Sequence, residues 1–241
     1  NRMRSIAKLM KDWQFTGPNG VTTAVELPHT WNAKDGQDGG NDYWRGCCTY
    51  CTRFAAPVYD PAQQQVWLQF EGVNASAAVL LNGQQLCTHD GGYSTFRAEV
   101  TELLQAENQL TVRVDNSVND RVYPQKADFT FYGGIYRDVS LLVVNKNHIA
   151  LGHFGDTGVK ITPALQENSA DIQVETLVEG SGTVTVELLD AEGRTVAKGE
   201  GENTFLHLDA PHLWNGVKDP YLYTCVVRLL QDGQPVDEVT T

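Results

Sequence analysis

The chain has 241 residues, of which 41% are hydrophobic and 20% are charged, a composition typical of a globular protein with a substantial core. Its formal net charge of −12 argues against nucleic acid or an anionic membrane as a partner, because both require clustered positive charge. No run of about 18 apolar residues occurs, so we expect no membrane-spanning helix.

Charge is unevenly distributed along the chain, and the cysteine content points to a reducing compartment. Residues 1–145 carry 12 basic and 15 acidic side chains, whereas residues 146–241 carry 6 and 15, so the second part is the more acidic one. The five cysteines are an odd number, and three of them fall between residues 47 and 51, which disfavours a secreted disulfide framework. The amino-terminal residues also lack the apolar stretch of a signal peptide. We therefore predict free thiols and a cytoplasmic location.

The first part of the chain alternates apolar and polar residues in several short segments, the pattern of half-buried strands. The alternating apolar residues are, in chain order, Val66/Leu68/Phe70, Ala77/Val79/Leu81, Leu110/Val112/Val114 and Val139/Leu141/Val143. Asn82-Gly83 follows the second group and predicts a tight β-hairpin. Only residues 5–10 and 101–104 favour a turn or two of helix. Many short strands with glycine-rich turns predict an all-β sandwich or jelly roll.

A domain boundary is predicted in the polar stretch of residues 145–148, where the chain changes from nearly balanced charge to an excess of acidic residues. The domains are therefore expected at 1–145 and 146–241. The second part again shows alternating apolar groups, at Ile172/Val174/Thr176/Val178, Val184/Val186/Leu188, Thr204/Leu206/Leu208 and 222–230. About seven strands in about 95 residues is the size of an immunoglobulin-like β-sandwich.

Several motifs, in this order, resemble one known family. They are Leu27-Pro28-His29-Thr30-Trp31, Tyr43-Trp44-Arg45-Gly46, Phe70-Glu71-Gly72-Val73, Leu81-Asn82-Gly83, the stretch 89–96, Val114-Asp115-Asn116 and the stretch 128–139. This set resembles the amino-terminal sugar-binding domain of glycoside hydrolase family 2. Leu213-Trp214 and Pro220-Tyr221-Leu222-Tyr223 are similar to the close of the immunoglobulin-like domain that follows it.

The resemblance implies a fold and an activity. The fold is a jelly-roll, galactose-binding-like β-sandwich followed by an immunoglobulin-like β-sandwich. In that family a catalytic (β/α)8 barrel follows, and the sequence given does not contain it. The implied reaction is retaining hydrolysis of a terminal β-glycoside, and a β-galactoside is favoured. The partners implied are the carbohydrate, the chain's own carboxy-terminal barrel and further copies in a homo-oligomer. We assign none of the 30 acidic residues as catalytic.

Three residues are predicted to bind substrate. In family β-galactosidases the acid that matches Asp128 reaches the active site and contacts the sugar or a sodium ion. A carboxylate suits both tasks, because it accepts hydroxyl hydrogen bonds and gives a hard cation a charged ligand. Asn41 and Asp42 lie in a glycine-rich stretch that the family sends toward the substrate, although both residue types are also common in turns. No cofactor is expected in this segment, and sodium or magnesium is the candidate ion of the full-length enzyme.

Other residue types favour structural roles. His29 lies between a proline and a tryptophan, where a hydrogen-bonded core residue is more common than a general base. Cys48-x-x-Cys51 has metal-ligand spacing, but no second pair of ligands accompanies it, and alternation from residue 47 to 54 favours a strand. Arg137 beside Asp138 suits an ion pair. Among the tryptophans, Trp67 is the best candidate for stacking on a sugar. The alternative role is to cover a neighbouring sheet.

Two other classes of function stay open. One is a free-standing carbohydrate-binding module, which predicts that the isolated chain binds a glycan. The other is a structural pair of β-domains, which predicts self-association without glycan binding. The ordered motifs favour the non-catalytic front of a glycosidase, in which the jelly roll shapes the rim of the substrate pocket and helps assembly.

Overall fold

The fold is that of a computed structural model, which describes residues 3–17, 20–30, 47–74, 76–90, 95–115, 134–135, 137–151, 158–209 and 223–241. These residues form strands and turns and contain no helix, so the prediction of an all-β protein is confirmed. Contacts divide the chain into two units. One comprises Ile6–Pro61 and Gln65–Val143, and the other comprises Asn1–Ser5, Ala62–Gln64 and Val144–Thr241. We call them the jelly-roll unit and the immunoglobulin-like unit.

Thirteen strands run through the first part of the described chain. They are β1 (Arg4–Lys8), β2 (Trp13–Thr16), β3 (Thr22–Val25), β4 (His29–Thr30), β5 (Cys47–Ala55), β6 (Gln64–Phe70), β7 (Val73–Asn74), β8 (Ser76–Leu81), β9 (Gln84–Asp90), β10 (Phe96–Glu99), β11 (Glu107–Asp115), β12 (Gly134–Ile135) and β13 (Val139–Asn145). Three sheets result, with the strand orders β3-β2-β5-β11-β8-β9, β1-β13-β6-β10 and β4-β12-β7.

One hydrophobic core fills the jelly-roll unit. The apolar faces of the six-stranded and four-stranded sheets both contribute to it, as in a sandwich. The alternation predicted at Val66/Leu68/Phe70, Ala77/Val79/Leu81 and Leu110/Val112/Val114 is confirmed, because every one of these side chains is buried. Strand β13 differs, since Ser140, Leu142 and Val144 are buried as well as the alternating residues.

Turn chemistry sets the register of the central hairpin. Asn82 and Gly83 join β8 to β9 and have φ angles of 52° and 83°. Two successive positive φ values define the turn type that matches the twist of a β-hairpin, and Asn-Gly is the pair that adopts it most readily. The predicted hairpin is therefore confirmed.

The immunoglobulin-like unit contains nine strands in its described residues. They are β14 (His148–Ile149), β15 (Val159–Leu165), β16 (Ser169–Thr176), β17 (Val178–Glu179), β18 (Thr183–Leu189), β19 (Thr195–Glu200), β20 (Asn203–Asp209), β21 (Thr224–Gln231) and β22 (Gln234–Thr240). Seven of these have six residues or more, and they form sheets of three strands, β15-β16-β20, and four strands, β19-β18-β21-β22. Their inner faces share a second hydrophobic core. An immunoglobulin-like sandwich is thus confirmed.

A buried ion pair lies within this unit. Asp237 is fully buried, and its carboxylate accepts hydrogen bonds from Arg4 Nε at 2.6 Å and Arg4 Nη2 at 2.7 Å. The same carboxylate accepts the Ile149 N–H at 2.7 Å, and Arg4 also donates to the Ile149 carbonyl oxygen. The carboxylate is therefore hydrogen-bonded through both of its oxygens, as a buried charge requires.

Both expectations of helix are wrong. Residues 4–8 form β1, and residues 101–103 form a turn in which the Leu103 N–H bonds to the Val100 carbonyl oxygen. Sheet pairing with β13 supplies the backbone of β1 with partners that a short isolated helix would lack. The predicted boundary after residue 145 stays a prediction.

Candidate functional site

The predicted sugar-binding residues Asn41, Asp42 and Asp128 lie outside the described residues. They belong to two segments, residues 31–46 and 116–133, which we call the first and the second segment. The structure describes the residues on both sides of each segment. Those flanking residues show which strand ends the two segments connect.

One row of paired residues crosses the end of the six-stranded sheet. Asp115, the last residue of β11, pairs with Cys47, the first residue of β5, and with Ser76, the first residue of β8. Ser76 pairs in turn with Asp90, the last residue of β9. We call Cys47, Asp115, Ser76 and Asp90 the sheet-end row. The first segment therefore ends, and the second begins, at two residues that are directly paired.

The other ends of the two segments also meet. Thr30 precedes the first segment and pairs with Gly134, which follows the second, and Gly134 pairs on its other side with Asn74. Both segments are thus bounded at each end by residues paired in a sheet. This arrangement brings together the attachment points of Asn41, Asp42 and Asp128, although it does not describe those side chains.

The sheet-end row is polar. Ser76 Oγ donates a hydrogen bond to Asp90 Oδ1 at 2.7 Å, and Asp115 is the exposed acidic residue next to Ser76 in the row. Cys47 is exposed, but partial desolvation, together with the charge of Asp115, raises the pKa of its thiol. Hydroxyl and carboxylate groups at the end of a rigid sheet suit binding to sugar hydroxyls, whereas a protonated thiol is a poor nucleophile.

A buried tyrosine lies beneath the short three-stranded sheet. Tyr50 is fully buried on β5, and its hydroxyl lies 2.6 Å from His29 Nδ1 and 3.5 Å from the His29 carbonyl oxygen. Burial raises the pKa of this hydroxyl, and the backbone N–H of Ile135 on β12 acts in the opposite direction. We call Tyr50, His29, Gly134 and Ile135 the tyrosine hub. It joins β5 to β4, which precedes the first segment, and to β12, which follows the second segment.

Aromatic packing keeps the tyrosine hub neutral. Phe15 lies against both rings, with centroids 4.7 Å from His29 and 5.0 Å from Tyr50. Burial lowers the pKa of His29 and raises the pKa of Tyr50, because an apolar environment disfavours either charged form. The expectation that His29 is hydrogen-bonded is confirmed, but the residue is half-buried at the edge of the core rather than within it.

Gly134 leaves room for the tyrosine hydroxyl. Its φ is +141°, and a Cβ placed on it would lie 2.3 Å from the His29 carbonyl oxygen and 2.9 Å from the Tyr50 hydroxyl. No side chain fits at those distances without moving the backbone of β4. A residue without a Cβ is therefore required where β12 crosses the hub.

The two cysteines with metal-ligand spacing do not point toward a common site. Cys48 and Cys51 lie three apart on β5 and so project from opposite faces: Cys48 faces the core, and the Cys51 sulfur accepts a hydrogen bond from Gln109 Nε2 at 3.3 Å. All five thiols are free, as predicted. Within the described ranges, no group of three or more His, Cys, Asp or Glu side chains is arranged to hold a metal ion.

Two further candidates have structural partners. Asp138 forms an ion pair with Lys8, at 2.9 Å between Oδ2 and Nζ, rather than with the neighbouring Arg137. Trp67 is partly buried, and its Nε1 donates to Gln65 Oε1 at 3.3 Å. Neither contact is to a residue of the sheet-end row or the tyrosine hub.

The sequence interpretation missed the hydroxyl of Tyr50 and the bond between Ser76 and Asp90. A signal for Tyr50 was present, since alternation on β5 places it on the buried face, and a buried tyrosine usually finds a hydrogen-bond partner. Nothing in the sequence indicates that this partner is His29.

Two family models match the chain. The glycosyl hydrolase 2 galactose-binding domain-like model matches residues 40–165, and the model named glycosyl hydrolases family 2 matches residues 153–241. The described strands of these ranges are those of the jelly roll and the immunoglobulin-like sandwich. In the described part of the chain, no helix is long and apolar enough to cross a membrane.

Similar proteins include hydrolases with two different substrate names. A β-glucuronidase of Bacteroides fragilis is 32% identical over 96% of this chain, and a β-galactosidase of Thermoanaerobacter pseudethanolicus is 29% identical over 73%. The crystal structure of an FMN-binding β-glucuronidase from Facaelibacterium prausnitzii L2-6 superposes with a TM-score of 0.89 at 33% identity and covers all of this chain. The chain spans 36%, 25% and 39% of the lengths of these three proteins.

Proposed function

Because this chain belongs to glycoside hydrolase family 2, we propose that it is the amino-terminal, non-catalytic part of a retaining β-glycosidase. In this proposal the jelly-roll unit contributes to the rim of the substrate pocket, and the catalytic residues lie elsewhere in the full-length polypeptide. The supporting observation is that both sandwich domains match the family in order, while the chain spans only 36% of the Bacteroides fragilis relative.

The proposed chemistry needs two carboxylates about 5 Å apart, one as nucleophile and one as acid and then base. In the described residues, Asp90 and Asp115 of the sheet-end row lie at the end of a sheet, where they suit binding of hydroxyl groups. We assign no catalytic role to them. The partner that supplies the catalytic pair is the chain's own carboxy-terminal barrel.

For the substrate, we propose a β-glucuronide. The support is the similarity to relatives with different substrates. The β-glucuronidase from Bacteroides fragilis is more similar to this chain, and matches more of it, than the β-galactosidase from Thermoanaerobacter pseudethanolicus. A β-galactoside, which the sequence favours through Asp128, is the second candidate, and the Thermoanaerobacter relative supports it. The two sugars differ at C6, where the glucuronide carries a carboxylate, and in the configuration of the C4 hydroxyl.

We propose Asp128, Asn41 and Asp42 as substrate-binding residues of the full-length enzyme. The support is the position of their attachment points, which are paired in two sheets at Cys47 and Asp115 and at Thr30 and Gly134. Asp128 is also the candidate ligand for a sodium ion, and magnesium is the other candidate ion. Either ion would supply a positive charge near the sugar hydroxyls, and no step proposed here depends on it.

Location, assembly and the alternative function are also proposals. A cytoplasmic location and a homo-oligomer remain our predictions. The alternative is a free-standing carbohydrate-binding module, which requires that the isolated chain binds a glycan with measurable affinity. Titration calorimetry of the 241-residue chain with glucuronic acid and galactose separates this alternative from the proposal.

The decisive experiment compares the isolated chain with the full-length polypeptide on 4-nitrophenyl β-glucuronide and 4-nitrophenyl β-galactoside. We expect turnover of the glucuronide by the full-length protein and none by the 241-residue chain. Turnover by the purified chain would contradict the non-catalytic assignment. A preference for the galactoside would reverse the substrate assignment.

A matched pair of variants tests the proposed binding residue. In the full-length polypeptide, Asp128→Asn should lower kcat/KM by about tenfold to a hundredfold, the value of a lost charge-assisted hydrogen bond. Asp232→Asn, in the exposed hairpin between β21 and β22, serves as the control and should leave kcat/KM unchanged. Equal kinetics for the two variants would remove Asp128 from the site.

A further inference from the structure

We propose that the Tyr50 hydroxyl is a positioning group that fixes the flanking ends of both the first and the second segment at once. This inference rests on the proposed function, because the two segments carry the residues proposed to bind substrate. Tyr50 itself is not proposed to touch the sugar. It acts through β4 and β12, which it joins to the central strand β5.

The contacts of this hydroxyl reach both flanking strands. It lies 2.6 Å from His29 Nδ1 on β4, and a Cβ placed on Gly134 of β12 would lie 2.9 Å from it, so it contacts both strands. It is also 3.5 Å from the His29 carbonyl oxygen. His29 is one residue from Thr30, where the first segment begins, and Ile135 is one residue from Gly134, which follows the second segment.

The strands that depend on this contact are short. Strands β4, β7 and β12 have two residues each, so their sheet contains few backbone hydrogen bonds. Small sheets of this kind are marginal without packing against other elements. A single buried hydroxyl that bonds to β4 and packs against β12 therefore contributes substantially to holding the two strands in place.

The packing around the Tyr50 ring fixes the position of its hydroxyl. Phe15 and Trp13 contact the Tyr50 ring, with centroids 5.0 Å and 6.5 Å away. On the opposite side, the absence of a side chain at Gly134 provides the space that the hydroxyl fills. A fully buried ring packed against two aromatic neighbours has little room to reorient, so loss of the hydroxyl removes the link instead of moving it.

A nearby residue separates positioning from ordinary core stability. Thr52 lies on the same strand and the same buried face, and its hydroxyl donates to the Asp12 carbonyl oxygen at 3.0 Å. Asp12 precedes β2 and belongs to neither flanking strand. Thr52→Val and Tyr50→Phe therefore each delete one buried hydroxyl with little change of shape, but only the second acts on β4 and β12.

The experiment uses the full-length polypeptide carrying Tyr50→Phe, Thr52→Val or His29→Phe. The last variant keeps an aromatic ring against Phe15 and removes the Nδ1 partner, and it serves if Tyr50→Phe fails to fold. Two readouts are taken: amide hydrogen exchange of peptides that cover 27–30 and 134–138, and kcat and KM on 4-nitrophenyl β-glucuronide and β-galactoside.

We expect Tyr50→Phe and His29→Phe to speed exchange in both peptides together and to lower kcat/KM about tenfold, mainly through KM, since small displacements of binding groups are costly. Thr52→Val should change neither. Equal exchange and equal kinetics for Tyr50→Phe and Thr52→Val would overturn the positioning role. If the wild-type polypeptide cleaves neither substrate, the proposed function fails, and the exchange comparison still decides the role of Tyr50.

Discussion

The two units place their buried polar groups differently. In the jelly-roll unit, the tyrosine hub lies at the ends of two strands, one of which precedes the first segment and the other follows the second. In the immunoglobulin-like unit, the buried carboxylate of Asp237 bonds to Arg4 and to the backbone at Ile149. The first arrangement fixes the flanks of proposed binding segments, whereas the second holds parts of a sandwich together.

The arrangement of charged side chains at the surfaces of the two units also differs. On the outer face of the immunoglobulin-like unit, Arg228 bonds to both Glu187 and Glu238, at 3.0 Å and 2.9 Å. At the end of the jelly-roll sheet, Asp115 and Asp90 share the sheet-end row with Ser76 and Cys47, and the row contains no basic residue. Carboxylates at the end of a sheet suit ligand binding, because functional groups concentrate on connections that a rigid scaffold positions.

The largest effect that we expect comes from Gly134→Ala. Positive φ and the close approach of the His29 carbonyl oxygen both oppose a Cβ, so the variant should lose about 3 kcal/mol or more of unfolding free energy. Gly83→Ala is the control, since Gly83 has a φ of +83° with open space around it, and it should cost about 1 kcal/mol. Similar urea midpoints for the two variants would contradict the account of the tyrosine hub.

The buried ion pair of the immunoglobulin-like unit gives the next largest effect. Asp237→Asn should cost about 3 kcal/mol, because Arg4 would lose its charged partner in a largely buried place. Glu238→Gln, on the exposed outer face, should cost about 0–1 kcal/mol. Denaturant unfolding of both variants measures this contrast, and a larger loss for Glu238→Gln would reverse it.

Two histidines should titrate in opposite directions from the ordinary pKa of 6.5. Burial lowers the pKa of His29, whereas hydrogen bonds to Asp171 and Asp209 raise the pKa of His207. His29 therefore makes the fold less stable as the pH falls below about 6.5, and the contribution of His207 is present below about 6.5 and lost as the pH rises through its folded pKa. Ring-proton signals in an NMR titration, assigned with His29→Phe and His207→Gln, measure both. Midpoints on the same side of 6.5 would contradict the contrast.

Thiol reactivity should show the smallest difference, and it should follow exposure in both units. Burial raises the pKa of Cys48 to about 12 and that of Cys225 to about 11, whereas Cys47 is exposed. We expect iodoacetamide at pH 8 to modify Cys47 in the native chain well before Cys48 or Cys225. Mass spectrometry of timed samples measures the order, and early labelling of Cys225 would indicate that its sandwich opens.

Alternation was enough to predict several of the longer strands. It placed the buried faces of β6, β8, β11, β16, β18 and β20, because a half-buried strand needs an apolar residue at every second position. Asn82-Gly83 predicted its hairpin for a local reason, namely the positive φ that this pair tolerates. Where local preference and pairing disagreed, as in residues 4–8, the sheet partner β13 decided the structure.

The candidate site was predictable only in part. The ordered motifs identified the family and gave Asn41, Asp42 and Asp128 as proposed binding residues. They could not indicate that Cys47 pairs with Asp115 and Thr30 with Gly134, since pairs separated by 68 and 104 positions in sequence depend on the register of whole sheets.

The sequence by itself determined the all-β class, the two sandwiches and the family, because these follow from periodicity, turn residues and short local motifs. Only the tertiary structure decided which buried polar groups meet. Tyr50 and His29 are 21 positions apart, and Arg4 and Asp237 are 233 apart. Such contacts are specified by packing density and by the need to satisfy buried donors and acceptors, and neither condition can be evaluated until the strands are in place.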